Sequence, residues 1–173
     1  MTFPLLHSSS RHEFVGEEKR FTEDDSGYES CKLIVGGKLW VNGGLGDLVY
    51  LPGSTSLSIT LQAQEYEVFT VVPVKRLSTG AAFAPIGLIK MFNSRGAIKD
   101  IKYEPERRAT VDMKVRGCGI FGSYSSIRPK RVTVDTMDVE FGYEEQSRLI
   151  TFSLEVPEKE LYRWEIIIEL KEQ

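Results

Sequence analysis

The sequence predicts an all-β domain built as an antiparallel β-sandwich, and three observations carry that expectation. From Leu48 onward, apolar and polar residues alternate over short runs, as they do in strands with one buried and one wet face. The runs recur at intervals of about ten residues and are separated by Gly, Pro, Ser and Asn. No long stretch has helical periodicity. Many short strands of this kind favour two packed antiparallel sheets over a parallel α/β sheet.

Residues 1–46 lack this texture. They carry the acidic stretch "GEEKRFTEDDSGYES" and the glycine-rich "VGGKLWVNGGLGD", and they read as a poorly ordered arm with one short strand around 32–35. Residues 47–173 read as the sandwich. Strands are expected at 57–61, 66–74, 83–91 and 97–103. In "ATVDMKVR", Ala109, Val111, Met113 and Val115 point inward while Thr110, Asp112, Lys114 and Arg116 point outward. Residues 131–134 follow, then "MDVEFGY" with Met137, Val139, Phe141 and Tyr143 on one face, then 149–156. The clearest run is "LYRWEIIIEL", which places Tyr162, Trp164, Ile166, Ile168 and Leu170 on the core face. "LPGST", "STG", "NSRG", "EPERR" and "PEKE" supply the turns between strands.

Size and charge limit the function. A chain of 173 residues suits one domain, and a domain near that size buries about two thirds of its unfolded surface without staples. The net charge of −3 argues against a nucleic-acid or anionic-membrane surface. Cys31 and Cys118 lie far apart without zinc spacing and read as thiols in a reducing compartment. The apolar run from Phe3 to Leu6 is too short for a signal peptide or membrane helix, so a cytoplasmic location is expected.

Several patterns invite a chemical reading. "VRGCGIFGSYSS" holds G-x-G-x-x-G at Gly117, Gly119 and Gly122, but a dinucleotide site needs the third glycine to open a helix. Here Pro129 and the alternation of Val132, Thr133 and Val134 follow, so the glycines read as a tight or bulged strand connection. "TVD" occurs twice, ending at Asp112 and Asp135. Glycoside chemistry uses paired carboxylates, yet each of these sits at a polar phase or strand end, where solvation is the ordinary role. His7 and His12 lie in the arm, and with no other histidine in the chain a Ser-His-Asp or two-histidine metal site has little to build on. "RPKR", from Arg128 to Arg131, has the composition of a small anion-binding or nuclear-import patch, but four residues in a chain of net negative charge read rather as a solvated loop. Trp164 falls in a core phase, while Trp40 and Tyr124, flanked by glycine or serine, are the candidate exposed platforms for a sugar ring. The residues thus nominate no catalytic, cofactor or metal site.

Longer stretches carry a resemblance. "EYEVFTVVPVK", "FAPIGL", "VRGCGIFGSYSS", "VEFGYEE" and "VPEKELYRWEIIIEL" resemble the C-terminal region of plant raffinose synthases and seed imbibition proteins, in glycoside hydrolase family 36. The resemblance covers about residues 47–173, with Arg95 standing where the family usually has glycine. It implies a cytosolic enzyme that moves galactose from galactinol to sucrose, or a relative that hydrolyses α-galactosides. In that family the nucleophile, an aspartate in a Lys-Val-Asp motif, and the acid/base aspartate lie in a barrel preceding this region. The nearest string here, Lys114 to Arg116, has no carboxylate, so no catalytic residue carries over. The resemblance implies a non-catalytic accessory domain whose partner is the catalytic barrel of a parent enzyme, with at most weak contact to α-galactosides. The alternative is a stand-alone carbohydrate-binding or protein-interaction module.

Overall fold

The computed structural model describes residues 12–13, 28–36, 48–51, 58–59, 69–91, 94–104, 109–156 and 163–170. In chain order the strands are β1 (His12–Glu13), β2 (Tyr28–Gly36), β3 (Leu48–Leu51), β4 (Ser58–Ile59), β5 (Phe69–Arg76), β6 (Ala82–Leu88), β7 (Ile98–Glu104), β8 (Thr110–Arg116), β9 (Gly119–Ser125), β10 (Pro129–Val134), β11 (Met137–Asp138), β12 (Gly142–Glu144), β13 (Leu149–Leu154) and β14 (Arg163–Leu170). One 3-10 turn, Ser94–Ala97, is the only helical element among the described residues. The all-β expectation is borne out: a five-stranded sheet ordered β11-β10-β14-β8-β7 and a seven-stranded sheet ordered β12-β13-β9-β6-β5-β2-β3, with β1 and β4 as a separate small pair. Every pairing is antiparallel.

Alternation dictates the layers. Along β8 the buried apolar residues are Val111, Met113 and Val115, and along β14 they are Ile166, Ile168 and Leu170; Thr110, expected to point outward, is buried as well at the start of β8, where the Leu170 N–H donates to the neighbouring Ala109 carbonyl. These meet Phe83, Leu88, Phe121, Ile150 and Phe152 of the seven-stranded sheet in one cluster. Phe121 and Phe152 face each other in register, their ring centroids 5.2 Å apart and tilted by 33°. Each side chain fully buried in this way contributes roughly 1.5–3 kcal/mol. Trp164 is half-buried at the margin of the cluster, where its indole Nε1 donates to the Gly117 carbonyl at 2.7 Å.

The seven-stranded sheet is buried on its other face as well. Val72, Val74, Ala82, Ala84, Ile86 and Tyr124 form a second cluster there, and every residue of β6 is buried. "AFAPIGL" therefore reads as a continuous apolar run. Pro85 is tolerated in this interior strand because the register shifts between Pro85 and Gly87, and a bulge removes the need for its missing donor. Gly87 has φ +103°, and a Cβ on it would lie 2.0 Å from the Ser94 carbonyl oxygen, so only glycine lets the 3-10 turn lie against β6. Arg95 donates to the Pro85 carbonyl at 3.2 Å, which gives this residue a place on the bulge.

Three of the expected strands differ in extent or continuity. The strand expected at 83–91 ends at Leu88, where Met91 N closes a turn on the Leu88 carbonyl. "MDVEFGY" is not one strand with a buried face, because Met137 stands 70% exposed beside a hairpin turn and the chain leaves the five-stranded sheet after Asp138. The strand expected at 32–35 is longer, Tyr28–Gly36, and joins β3 and β5.

Phe121→Ala should lower unfolding free energy by about 3–5 kcal/mol in a denaturant titration, the usual cost of removing a fully buried phenylalanine. Ser123 is its useful contrast: fully buried in β9, its hydroxyl has no hydrogen-bond partner among the described residues. Ser123→Ala should leave stability unchanged or raise it by about 1 kcal/mol.

Candidate functional site

The glycine motif lies where the chain changes sheet. β8 belongs to the five-stranded sheet and β9 to the seven-stranded one, and only Gly117 and Cys118 lie between them. Gly117 takes φ +111° and Gly119 φ +124°, conformations open to glycine. Gly122 lies inside β9, where a Cβ would come within 2.3 Å of the Ile89 Cγ2. The third glycine thus serves close packing in a strand instead of opening a helix, and nothing at this position resembles a pyrophosphate cradle. The expected tight connection is present, but its second half is β9 itself, a strand that sequence periodicity did not reveal.

The two "TVD" aspartates have separate roles. Asp112 points to the outer face of the five-stranded sheet, opposite Ile167 of β14 and Lys102 of β7. Asp135 and Thr136 form the two-residue turn between β10 and β11, with φ of 47° and 71° and Val134 paired to Met137. Consecutive positive φ values are those of a type I′ hairpin turn, which matches strand twist but suits Asn-Gly better than Asp-Thr. Asp135 offsets part of that strain: its Oδ1 accepts from Glu165 N at 2.8 Å, while its own N–H donates to the Glu165 carbonyl, also at 2.8 Å. The hairpin is thereby fastened to β14.

The outer face of the five-stranded sheet holds a depression of about 120 Å³ lined by Asp100, Lys102, Asp112, Lys114, Glu165 and Ile167. Ligand pockets commonly occupy roughly 300–1,000 Å³. Its charges neutralise one another across the strands: Lys102 opposes Asp112, and Lys114 opposes both Asp100 and Glu165. The Lys114 Nζ to Glu165 Oε1 distance is 3.6 Å with both side chains mostly exposed, a pairing worth about 1 kcal/mol or less. This is the geometry of a solvated sheet face.

The remaining candidates disperse. Arg131 pairs with Asp138 across the hairpin, which raises its pKa further above the ordinary arginine value and removes one cation from "RPKR". Pro129 of the same string is buried at the start of β10. Tyr124 is not an exposed platform: it is 7% exposed, opposite Ala84 and Leu149 in register. Its serine neighbours gave no signal of this, because Ser123 and Ser125 are themselves buried, facing the other way. Ser125 is satisfied locally, its Oγ donating to the Ile127 carbonyl at 2.7 Å, and the Tyr143 hydroxyl donates to the Ser125 carbonyl. Cys118 is a half-exposed free thiol. Trp40 and His7 lie outside the described residues, as do the side chains of His12 and Cys31. Among the described residues no cluster of His, Cys, Asp or Glu is placed to hold a metal ion.

A two-sheet sandwich whose notable polar residues fasten turns and strands defines the class: a β-sandwich domain. Residues 24–154 match the family described as raffinose synthase or seed imbibition protein Sip1. The chain is 58% identical over 126 residues to "Probable galactinol--sucrose galactosyltransferase 1" of Arabidopsis thaliana, covering 72% of this chain and 17% of that protein. It is 45% identical over 122 residues to "Probable galactinol--sucrose galactosyltransferase 6" of the same plant, covering 70% and 16%. With the stachyose synthase of Pisum sativum it shares 39% over 88 residues, covering 51% and 10%. The chain belongs to the raffinose synthase and seed imbibition protein family, to whose C-terminal region it corresponds, and it spans about a sixth of the length of the first two relatives.

Two measurements check the structural assignments. Thr136→Gly should stabilise the protein by about 1 kcal/mol, the relief of a left-handed β-branched residue; Asp135→Ala should cost about that much, while Asp135→Asn, which keeps the acceptor, should cost less. Titration with NAD or NADP should give no saturable signal up to millimolar ligand.

Proposed function

We propose that this chain is the non-catalytic accessory sandwich of a raffinose-synthase-type galactosyltransferase, and that its partner is the catalytic barrel of such an enzyme. The observation that supports this most is the match of 58% identity to 17% of the length of a protein named for galactinol–sucrose galactosyl transfer. The chemistry agrees with it. Galactosyl transfer needs one carboxylate to attack the anomeric carbon, another to protonate the departing oxygen, and a pocket that binds the sugar and stabilises the oxocarbenium-like transition state. Asp135 is committed to the Glu165 backbone, and Asp112 lies in a small, charge-compensated depression. In this reading the domain's contribution to transfer is to stabilise the part of the enzyme that carries the nucleophile.

The purified chain should neither form raffinose from galactinol and sucrose nor release galactose from an aryl α-galactoside. Turnover above buffer that disappears in Asp112→Asn or Asp135→Asn would place an active site on the sandwich and overturn the accessory reading.

A further inference from the structure

The exposed apolar residues of the sandwich are unevenly distributed. Among the described residues, the large hydrophobic side chains left exposed are Val71 at 46%, Met91 at 51%, Met137 at 70% and Val156 at 69%. Strand directions place all four toward the same end. β6 ends at Leu88 beside Phe121 of β9, and β13 ends at Leu154 beside Gly119, so Met91 and Val156 follow strands that finish together. The direct passage from Arg116 to Gly119 brings the matching end of the five-stranded sheet alongside. The β10–β11 turn reaches that end at Glu165, carrying Met137 with it. On β5 the opposite end is marked by Arg76, paired with Ala82, so Val71 lies on the same side as the other three. The other end of the sandwich carries turns such as 126–128 and 145–148, with Arg128, Glu145 and Arg148 exposed.

Charge singles out the same end independently. Across the outer face of the five-stranded sheet, charges meet opposite charges: Lys102 with Asp112, Lys114 with Asp100 and Glu165, Arg131 with Glu169. The rule breaks at the last pair. Arg116 stands directly opposite Arg163, both exposed and neither in an ion pair among the described residues. Like charges directly opposite on a sheet are destabilising, and a free surface gains nothing from keeping them at the same end as exposed methionine and valine. A surface of that composition fits a partner that is apolar with one or more carboxylates at its rim.

We infer that this end of the sandwich, with Met91, Met137, Val156, Arg116 and Arg163, is the surface that docks onto the rest of a raffinose-synthase-type polypeptide. The inference deepens the accessory-domain reading and rests on it. The occupant follows from length: the matched region is 17% of the Arabidopsis relative, so about five sixths of such a chain is covalently joined to this domain and present at high effective concentration. A second copy has no such advantage.

The test replaces the C-terminal region of that Arabidopsis relative with residues 24–173 of this chain, and follows both activity and thermal unfolding. The chimera should be active and melt in one transition. Arg163→Glu, and separately the pair Met91→Lys with Val156→Lys, should split that transition or lower it by at least 5 °C, while Arg128→Glu at the opposite end should not. In the 173-residue chain alone, Arg163→Glu removes a like-charge pair and should leave the melting temperature unchanged or raise it. The opposite signs separate lost docking from lost folding. If the variants at this end behave like Arg128→Glu in the chimera, the docking surface is elsewhere and the accessory reading stands. If the unsubstituted chimera is inactive while the relative is active, the accessory reading fails and the inference with it. Self-association of the chain in sedimentation that Met91→Lys with Val156→Lys abolishes would make this end a contact between copies and overturn the inference.

Discussion

The constraint on which the rest depends is that two sheets must each hide one face against the other. Phe121 and Phe152, opposed in register within one sheet, present their rings to Val111, Met113, Ile166 and Ile168 of the other within one core cluster. Because side chains alternate along a strand, any slip of one residue in β8 or β14 would carry Asp112 or Glu165 inward and Met113 or Ile166 outward. Register, sheet separation and the placement of every turn follow from keeping that interface apolar.

The glycines and polar residues that look chemical are consequences of the same constraint. Changing sheets in two residues requires backbone angles that glycine adopts readily, and Gly117 also offers its carbonyl to Trp164. Closing β10 onto β11 in two residues requires left-handed angles, and Asp135 turns toward β14 to hold them. Binding residues and architectural residues can share a spelling, because glycine loops and short acidic turns solve backbone problems as often as ligand problems. What separates them is the surrounding structure, and here it is strands on both sides.

Much of the fold was legible in the sequence wherever one face of a strand is wet. "ATVDMKVR" and "RWEIIIEL" show clear alternation, interrupted only at Ile167, because most of the outer face of β8 and β14 is solvated. β6 and β9 gave weaker signals because the seven-stranded sheet is covered on both sides: "AFAPIGL" loses its alternation, and "GIFGSYS" substitutes glycine and buried serine for apolar residues. Tyr124 reads as exposed for the same reason: its polar neighbours suggest solvent where there is a second buried layer. Family membership was legible in long strings such as "FAPIGL" and "VRGCGIFGSYSS", which form β6 and the passage from β8 into β9.

The last of the described strands in chain order sits in the middle of its sheet. β14 lies between β10 and β8 and supplies Ile166 and Ile168 to the centre of the core. On a ribosome, β8 and β10 therefore emerge with facing edges that have nothing to pair with until β14 is made, so the five-stranded sheet closes only once that strand has been synthesised. A stop codon shortly before Arg163 would remove eight residues of strand and leave two open edges facing a gap, which is the arrangement that recruits strands from other chains. Loss of this one strand would be felt in this protein as aggregation of the whole domain.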